Sequence, residues 1–297
     1  VNITIVGPGA IGSLWAIKLL QAGHNVSLWS RTTYNSIDLS LDGQASLSFS
    51  NNNIEKLSAS DLVIVTVKAW QVEEATTPLL QYLDPDTILM FMHNGMGAVD
   101  EIATQIDAHP IVLATTTQAA FKPDRNSVSH TGAGQTQLGA FNQAGKKCTF
   151  LVDVLNHALP NVSWNPEIHT ALWTKLAINC AINPLTGLEQ IKNGELSEPR
   201  FGNTLTAIIE ELTQVMQAEG ISCSFDELET NVNKVIQATA KNNSSMKQDM
   251  FYQRRTEIDF ITGFLIETAH KHQIDVPVNQ TLLTQVKEQE SSWKKQD

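Results

Sequence analysis

Up to about residue 140, short apolar runs rich in β-branched residues alternate with helix-like stretches: "NITIVG", "NVSLWSR", "DLVIVTVK", "TILMFMHNG" and "IVLATTTQAA". That alternation predicts βαβ units and a mostly parallel sheet. "DLVIVTV" and "ILMFM" are nearly continuous in apolar residues, as strands covered by helices on both faces must be. The Ser-, Thr- and Gly-rich stretch from Asn126 to Leu138 reads as a hairpin or as irregular strands closing the sheet. Past about residue 165 the strand-like runs give way to long helical periodicities. "ALPNVSWNPEIHTALW", with two prolines and several turn formers, marks the change. The expected architecture is an α/β N-terminal domain over residues 1–163 followed by an all-α C-terminal domain over residues 164–297.

The first strand runs straight into three glycines spaced GxGxxG, and an amphipathic helix is expected from about Ile11 to Ala22. A strand before and a helix after give the motif the context that a bare match lacks. Gly7 permits a tight turn, Gly9 the close approach of a diphosphate, and Gly12 the packing of helix on strand. Free backbone N–H groups at the helix N-terminus then face the anion. This is the signature of a Rossmann-type, dinucleotide-binding domain. The end of the second strand selects the dinucleotide. An NAD site places an acid about 20 residues after the glycines, whereas "SLWSR" offers Ser30 and Arg31, and Asp38 comes too late. A guanidinium binds a 2′-phosphate through paired, charge-assisted bonds, so the expected cofactor is NADPH/NADP+. Lys68 in "VTVKAW" and Asn94 in "MHNGMG" stand at the ends of two later strands, where ligands of open α/β sheets sit.

Charge and composition narrow the partners. With 20 basic and 31 acidic side chains the net charge is −11, which removes the general attraction to nucleic acid or anionic lipid. Cys148, Cys180 and Cys223 form no CxxC pair, and the eight histidines lack ligand spacing, so neither a disulfide framework nor a metal is expected. No basic leader and no run of 18 or more apolar residues is found, and a cytoplasmic protein is expected.

The helical half carries one polar stripe that surface patterning does not explain. In "LWTKLAINCAINPLTG", Lys175, Asn179 and Asn183 are spaced i, i+4, i+8 and share one face, while Leu176, Ile178, Cys180 and Ile182 occupy the others. Such groups must satisfy one another, meet another domain, or meet a ligand. A lysine in a partly dry cleft can donate a proton to a developing alkoxide. A second helix is expected from about Ser245 to His272. At roughly 100° per residue, Met250, Glu257, Ile258, Ile261, Phe264 and Leu265 would fall on one arc, with Glu257 an acid inside an apolar stripe that needs a cation or a polar ligand.

Taken together, "GPGAIGSLW", "VTVKAWQV", "HNGMG", "TTTQAA", "LWTKLAINCAINPLTG", "NGEL", "SSMKQD" and "RRTEID" resemble the ketopantoate reductase family along essentially the whole chain. The resemblance implies reduction of 2-dehydropantoate to (R)-pantoate in pantothenate and coenzyme A biosynthesis. It implies that Gly7, Pro8, Gly9, Ala10, Ile11, Gly12, Arg31, Lys68, Asn94 and the backbone around Ala120 hold NADPH. Lys175 would be the proton donor, and Asn94, Asn179, Asn183, Asn193, Asn242 and Ser245 would line the ketopantoate pocket. Glu257 corresponds to the family's essential acid, near the substrate hydroxyl and the nicotinamide end. Ketopantoate is the expected partner, with no nucleic acid and no membrane, and the chain is a monomer or a homodimer. Two rivals stand beside this reading: a reductase of another branched or hydroxylated 2-keto acid, and an NADPH sensor without catalysis, which would have no use for Lys175.

Overall fold

The runs that are apolar on both faces lie in the middle of a sheet. In the computed structural model, which describes residues 1–293, the first unit contains β1 (Asn2–Val6), α1 (Ala10–Gln21), β2 (Asn25–Trp29), β3 (Ser36–Leu41), β4 (Leu47–Ser50), α2 (Ile54–Ser58), β5 (Leu62–Val65), α3 (Val72–Thr76), β6 (Ile88–Phe91), α4 (Ala98–Glu101), α5 (Ala103–Ile106), β7 (Ile111–Thr116), β8 (Ala119–Phe121), β9 (Ser127–Gly132), β10 (Thr136–Ala140), α6 (Leu151–Ala158) and β11 (Val162–Trp164). Seven strands form the main sheet in the order β11-β10-β7-β6-β5-β1-β2. From β2 to β7 the pairing is parallel, and β10 returns antiparallel to β7. Every residue of β5 and β6 is buried. β1 lies between β2 and β5, so the strand order reverses there, where sheets of this kind open a crevice beyond their carboxyl ends.

A second sheet, ordered β4-β3-β9-β8, packs on α1. Its β3 was written in plain alternation: Ile37, Leu39 and Leu41 of "SIDLSL" are buried while Asp38 is exposed. Because α1 meets β1 and β2 on one side and β3, β8 and β9 on another, it is apolar nearly all round, with Leu14, Trp15 and Ala16 fully buried. Of the two alternatives for Asn126 to Leu138, a hairpin or irregular strands closing the sheet, the hairpin does not form. β9 pairs with β8 in the small sheet, and β10 pairs with β7 in the main one. Gly134 makes the crossing between them: a Cβ there would lie 2.4 Å from the Thr117 carbonyl carbon. The Gln118 side chain holds it, donating to Gly134 O at 2.8 Å and accepting from its N–H at 3.0 Å. Position 163 lies inside β11, which pairs with β10, and the first unit runs on to Ile168.

The second unit comprises Asn94–Gly97 and the chain from His169 onward. Its helices are α7 (Ile168–Glu189), α8 (Pro199–Ala218), α9 (Phe225–Ala238), α10 (Ser245–Phe251), α11 (Thr262–Lys271) and α12 (Pro277–Trp293). Leu176, Ala177, Cys180 and Ala181 of α7 share a core with Ile208, Leu212 and Val215 of α8, Val232 of α9 and Leu265 of α11. α12 starts on a carboxylate: buried Glu211 accepts from the backbone N–H groups of Val278 and Asn279 at 2.8 and 3.0 Å, at the positive end of the helix.

The single helix expected from Ser245 to His272 is broken. α10 stops at Phe251, and Gln253 takes a left-handed φ of 50° while Arg254 N–H reaches back to Asp249 O at 2.8 Å, a C-terminal cap. Thr256 is then fixed from α12, its N–H and Oγ1 both donating to Glu290 Oε1 at 2.8 and 2.7 Å. Glu257 therefore sits in a braced turn ahead of a short helical turn, Ile258–Phe260, rather than on an arc shared with Met250. No helix among the described residues is long and apolar enough to cross a membrane.

Candidate active site

The glycine loop is shaped by contacts that only glycine tolerates. Gly7 has φ +81°, and a Cβ on it would fall 2.3 Å from Val67 Cγ1; one on Gly12 would fall 2.3 Å from Thr66 Oγ1. Gly9 differs, since the nearest atom to a Cβ there is Gly7 O at 4.0 Å. Its missing side chain leaves open approach to the backbone. The N–H groups of Ala10, Ile11 and Gly12 precede the first bond along the helix, Ser13 N–H to Gly9 O at 2.9 Å, so they are donors in need of an acceptor. This cradle fits a diphosphate. Thr66, which sequence reasoning passed over, locks it by donating to Gly7 O at 2.7 Å.

The cationic positions gather around the same strand ends. Gly7 N–H donates to Trp29 O at 2.9 Å, which ties the loop to the end of β2 just ahead of exposed Arg31. That turn is built by two asparagines from the end of β4. Asn52 Oδ1 accepts from Ser30 N–H at 2.9 Å, and Asn51 Nδ2 donates to Tyr34 O at 2.6 Å. Half-buried Lys68 follows β5 next to Val67, the neighbour of Gly7, and its N–H donates to Gln71 Oε1 at 3.3 Å. Ala120 lies in β8 opposite His130, on the sheet that covers α1.

In the helical unit, Asn94, Lys175 and Glu257 come together. Gly95 at φ +79° and Gly97 at φ +93° leave no room for a Cβ, which would lie 2.5 Å from Phe260 O and 2.9 Å from Phe264 Cδ2 respectively. With Met96 N–H donating to Phe260 O at 2.9 Å, "NGMG" is clamped onto the turn after Glu257. Asn94 Nδ2 is thereby held 3.4 Å from Glu257 Oε2. Lys175 feels the same carboxylate. Burial pushes its ammonium down to about 8, and Glu257 pulls partly the other way. Such a group is mostly charged at neutral pH yet gives up its proton far more readily than a surface lysine.

Asn179 and Asn183 continue the Lys175 face of α7, with Asn183 buried. Asn193 and Asn242 also meet, through Asn193 N–H to Asn242 O at 3.1 Å. Buried Asn193 donates from Nδ2 to Thr239 Oγ1 at 2.9 Å, and its Oδ1 has no partner among the described residues. Ser245 opens α10 and is exposed, whereas its neighbour Ser244 is buried, bonded to Thr186 of α7 at 2.7 Å. Sequence reasoning also missed the Thr256 to Glu290 brace. Its only trace is a Thr before "EID" and an acid on a distant helix.

An α/β unit with a glycine cradle and cations at its strand ends, in one chain with a helical unit carrying a lysine beside a carboxylate, defines the class of nicotinamide-dinucleotide oxidoreductases. Two family models match: ketopantoate reductase PanE/ApbA over residues 3–143 and ketopantoate reductase PanE/ApbA C terminal over residues 167–290. Over 294 residues the chain is 55% identical to the 2-dehydropantoate 2-reductase of Vibrio cholerae, covering 99% of both. The chain belongs to the ketopantoate reductase family. Among solved structures, the PanE/ApbA family ketopantoate reductase from Ralstonia eutropha JMP134 superposes with a TM-score of 0.89 at 23% identity, covering 99% of this chain and 100% of that one. D-mandelate dehydrogenase in ternary complex with NADH and anilino(oxo)acetate superposes with a TM-score of 0.90 at 22% identity, covering 98% and 99%. At these identities the two structures speak for the fold alone.

Proposed function

We propose that the chain reduces 2-dehydropantoate to (R)-pantoate with NADPH, the first unit holding the dinucleotide and the second holding substrate and proton donor. The observation that carries this is Lys175, lowered to about 8 on the polar face of α7 and set beside Glu257. NADPH, when bound, supplies the hydride that adds to the keto carbon of the substrate. Gly7, Pro8, Gly9, Ala10, Ile11 and Gly12 hold the diphosphate, Arg31 the 2′-phosphate, and Lys68, Asn94 and the Ala120 backbone the rest of the cofactor. The Lys175 ammonium stabilises the charge developing on the keto oxygen and delivers its proton to that oxygen. Asn179, Asn183, Asn193, Asn242 and Ser245 orient the carboxylate and hydroxyl groups of the substrate, and Glu257 accepts from the substrate hydroxyl while facing the nicotinamide end. Precise alignment is the main task left to the protein, since misplacement by about 1 Å can cost on the order of 100-fold in rate. The same reading puts the enzyme in the cytoplasm.

The test is NADPH oxidation measured with ketopantoate beside a panel of other branched and hydroxylated 2-keto acids. Ketopantoate should give the highest kcat/KM. A different best substrate would replace the proposed one, and turnover with none of them would favour a sensor that binds cofactor without chemistry.

A further inference from the structure

The loop after β8, residues 122–126, brings two cations to the cofactor end of the first unit. Lys122 is partly buried, and its Nζ donates to Pro8 O at 2.8 Å and to Ser13 Oγ at 3.1 Å. Ser13 Oγ, itself fully buried, donates to the same Pro8 carbonyl at 2.9 Å. An ammonium group is thus pinned on the glycine loop against the first turn of α1. Both bonded acceptors are neutral, and among the described residues no carboxylate hydrogen-bonds Lys122, although Asp124 acts on it through its charge. A cation at the positive end of a helix is unfavourable on its own and favourable once an anion joins the two. Consistent with that, burial lowers the pKa of Lys122, Asp124 raises it, and Arg125 lowers it again. An ammonium carries three donors, and the two bonds above leave one for a ligand.

The loop is held in place rather than draped over the surface. Asp124 Oδ1 accepts from the N–H groups of Asn126 and Ser127 at 2.8 and 2.7 Å. Asn126 is stitched to β3, donating from Nδ2 to Asp38 O at 2.6 Å and accepting Ser40 N–H at 2.8 Å. Between these anchors the Arg125 guanidinium lies over the ring of exposed Tyr34, 4.4 Å from its centroid, in the turn that also carries Arg31. One short loop therefore reaches both the diphosphate cradle and the neighbourhood of the 2′-phosphate arginine.

We propose that residues 122–126 form a second arm of the dinucleotide site, in which Lys122 holds the diphosphate and orients the Pro8–Gly9 backbone, and Arg125 with Tyr34 adds to recognition of the 2′-phosphate. The inference rests on the NADPH reading above and goes beyond the glycine loop and Arg31. Direct titration of NADPH and NADH into substrate-free protein, followed by calorimetry at two salt concentrations, tests it with the variants Lys122→Met, Lys122→Arg and Arg125→Gln. Lys122→Met should raise Kd about 10-fold for both dinucleotides, as loss of one charged hydrogen bond does, and should make log Kd less steep in log salt. Lys122→Arg should restore most of the affinity. Arg125→Gln should weaken NADPH about 5-fold and leave NADH unchanged, the mark of a contact to the extra phosphate. A folded Lys122→Met protein with wild-type Kd and salt slope would overturn the proposal, as would a lowered Tm with unaltered Kd, which would make Lys122 a brace only. Failure of the wild-type chain to bind either dinucleotide is a different result, and would defeat the cofactor reading on which the proposal stands.

Discussion

The proposed cofactor cradle and the proposed catalytic face are built from different material. The cradle is backbone: the free N–H groups of Ala10, Ile11 and Gly12, the open approach over Gly9, and a turn at Gly7 that only φ +81° allows. The proposed catalytic face is side chains from separate segments: Lys175 on α7, Asn94 on a glycine-clamped loop, and Glu257 in a turn braced by Glu290. Asn94 and Glu257 are 163 positions apart in the chain. A backbone site is specified by a contiguous run of residues. A side-chain site depends on every element that aims it, so its weak points lie in residues that touch no substrate.

The contrast predicts where damage separates binding from chemistry. Lys175→Ala should cause the largest loss, about 1,000-fold in kcat, because in the proposed mechanism one group supplies both proton and charge stabilisation. Its Kd for NADPH, set mainly by groups of the other unit, should stay within about 2-fold. Stopped-flow turnover and a binding titration on the same preparation check both numbers, and near-normal turnover would remove Lys175 from the mechanism. A smaller effect is expected from Thr256→Val, which deletes one of the two bonds to Glu290 and loosens the turn that aims Glu257. Its kcat should fall on the order of 10-fold with NADPH affinity unchanged, at a stability cost of about 1–3 kcal/mol for the bond lost. Equal losses in affinity and turnover would mean that the brace supports the whole fold rather than the catalytic face.

Legibility in the sequence followed the same division. The strand, glycines and helix at the N-terminus could be read because each local signal agreed with the next. The stripe of Lys175, Asn179 and Asn183 could be read because helical spacing alone puts them on one face. The position of Glu257 could not. Nothing local in "MFYQRRTEIDF" stops a helix decisively; the stop comes from Gln253 adopting a positive φ and from Thr256 meeting Glu290 on α12. Likewise the split of β9 and β10 between two sheets depends on Gly134 crossing the Thr117 backbone, a contact with no sequence signature. The alternation of "SIDLSL" is, by contrast, a local signal, and it forms strand β3 with its apolar residues inward.

The central claim is that a partly desolvated Lys175, steadied by Glu257, gives the proton. The direct measurement is kcat for ketopantoate reduction against pH in the wild type and in Glu257→Gln. Only the ammonium form donates, so activity should be full below the Lys175 pKa and fall as pH rises through about 8. Removing the Glu257 carboxylate takes away the interaction that raises that pKa, so the alkaline limb should move to lower pH. A limb that stays in place in Glu257→Gln, or a wild-type profile flat through pH 8 to 9, would contradict the account.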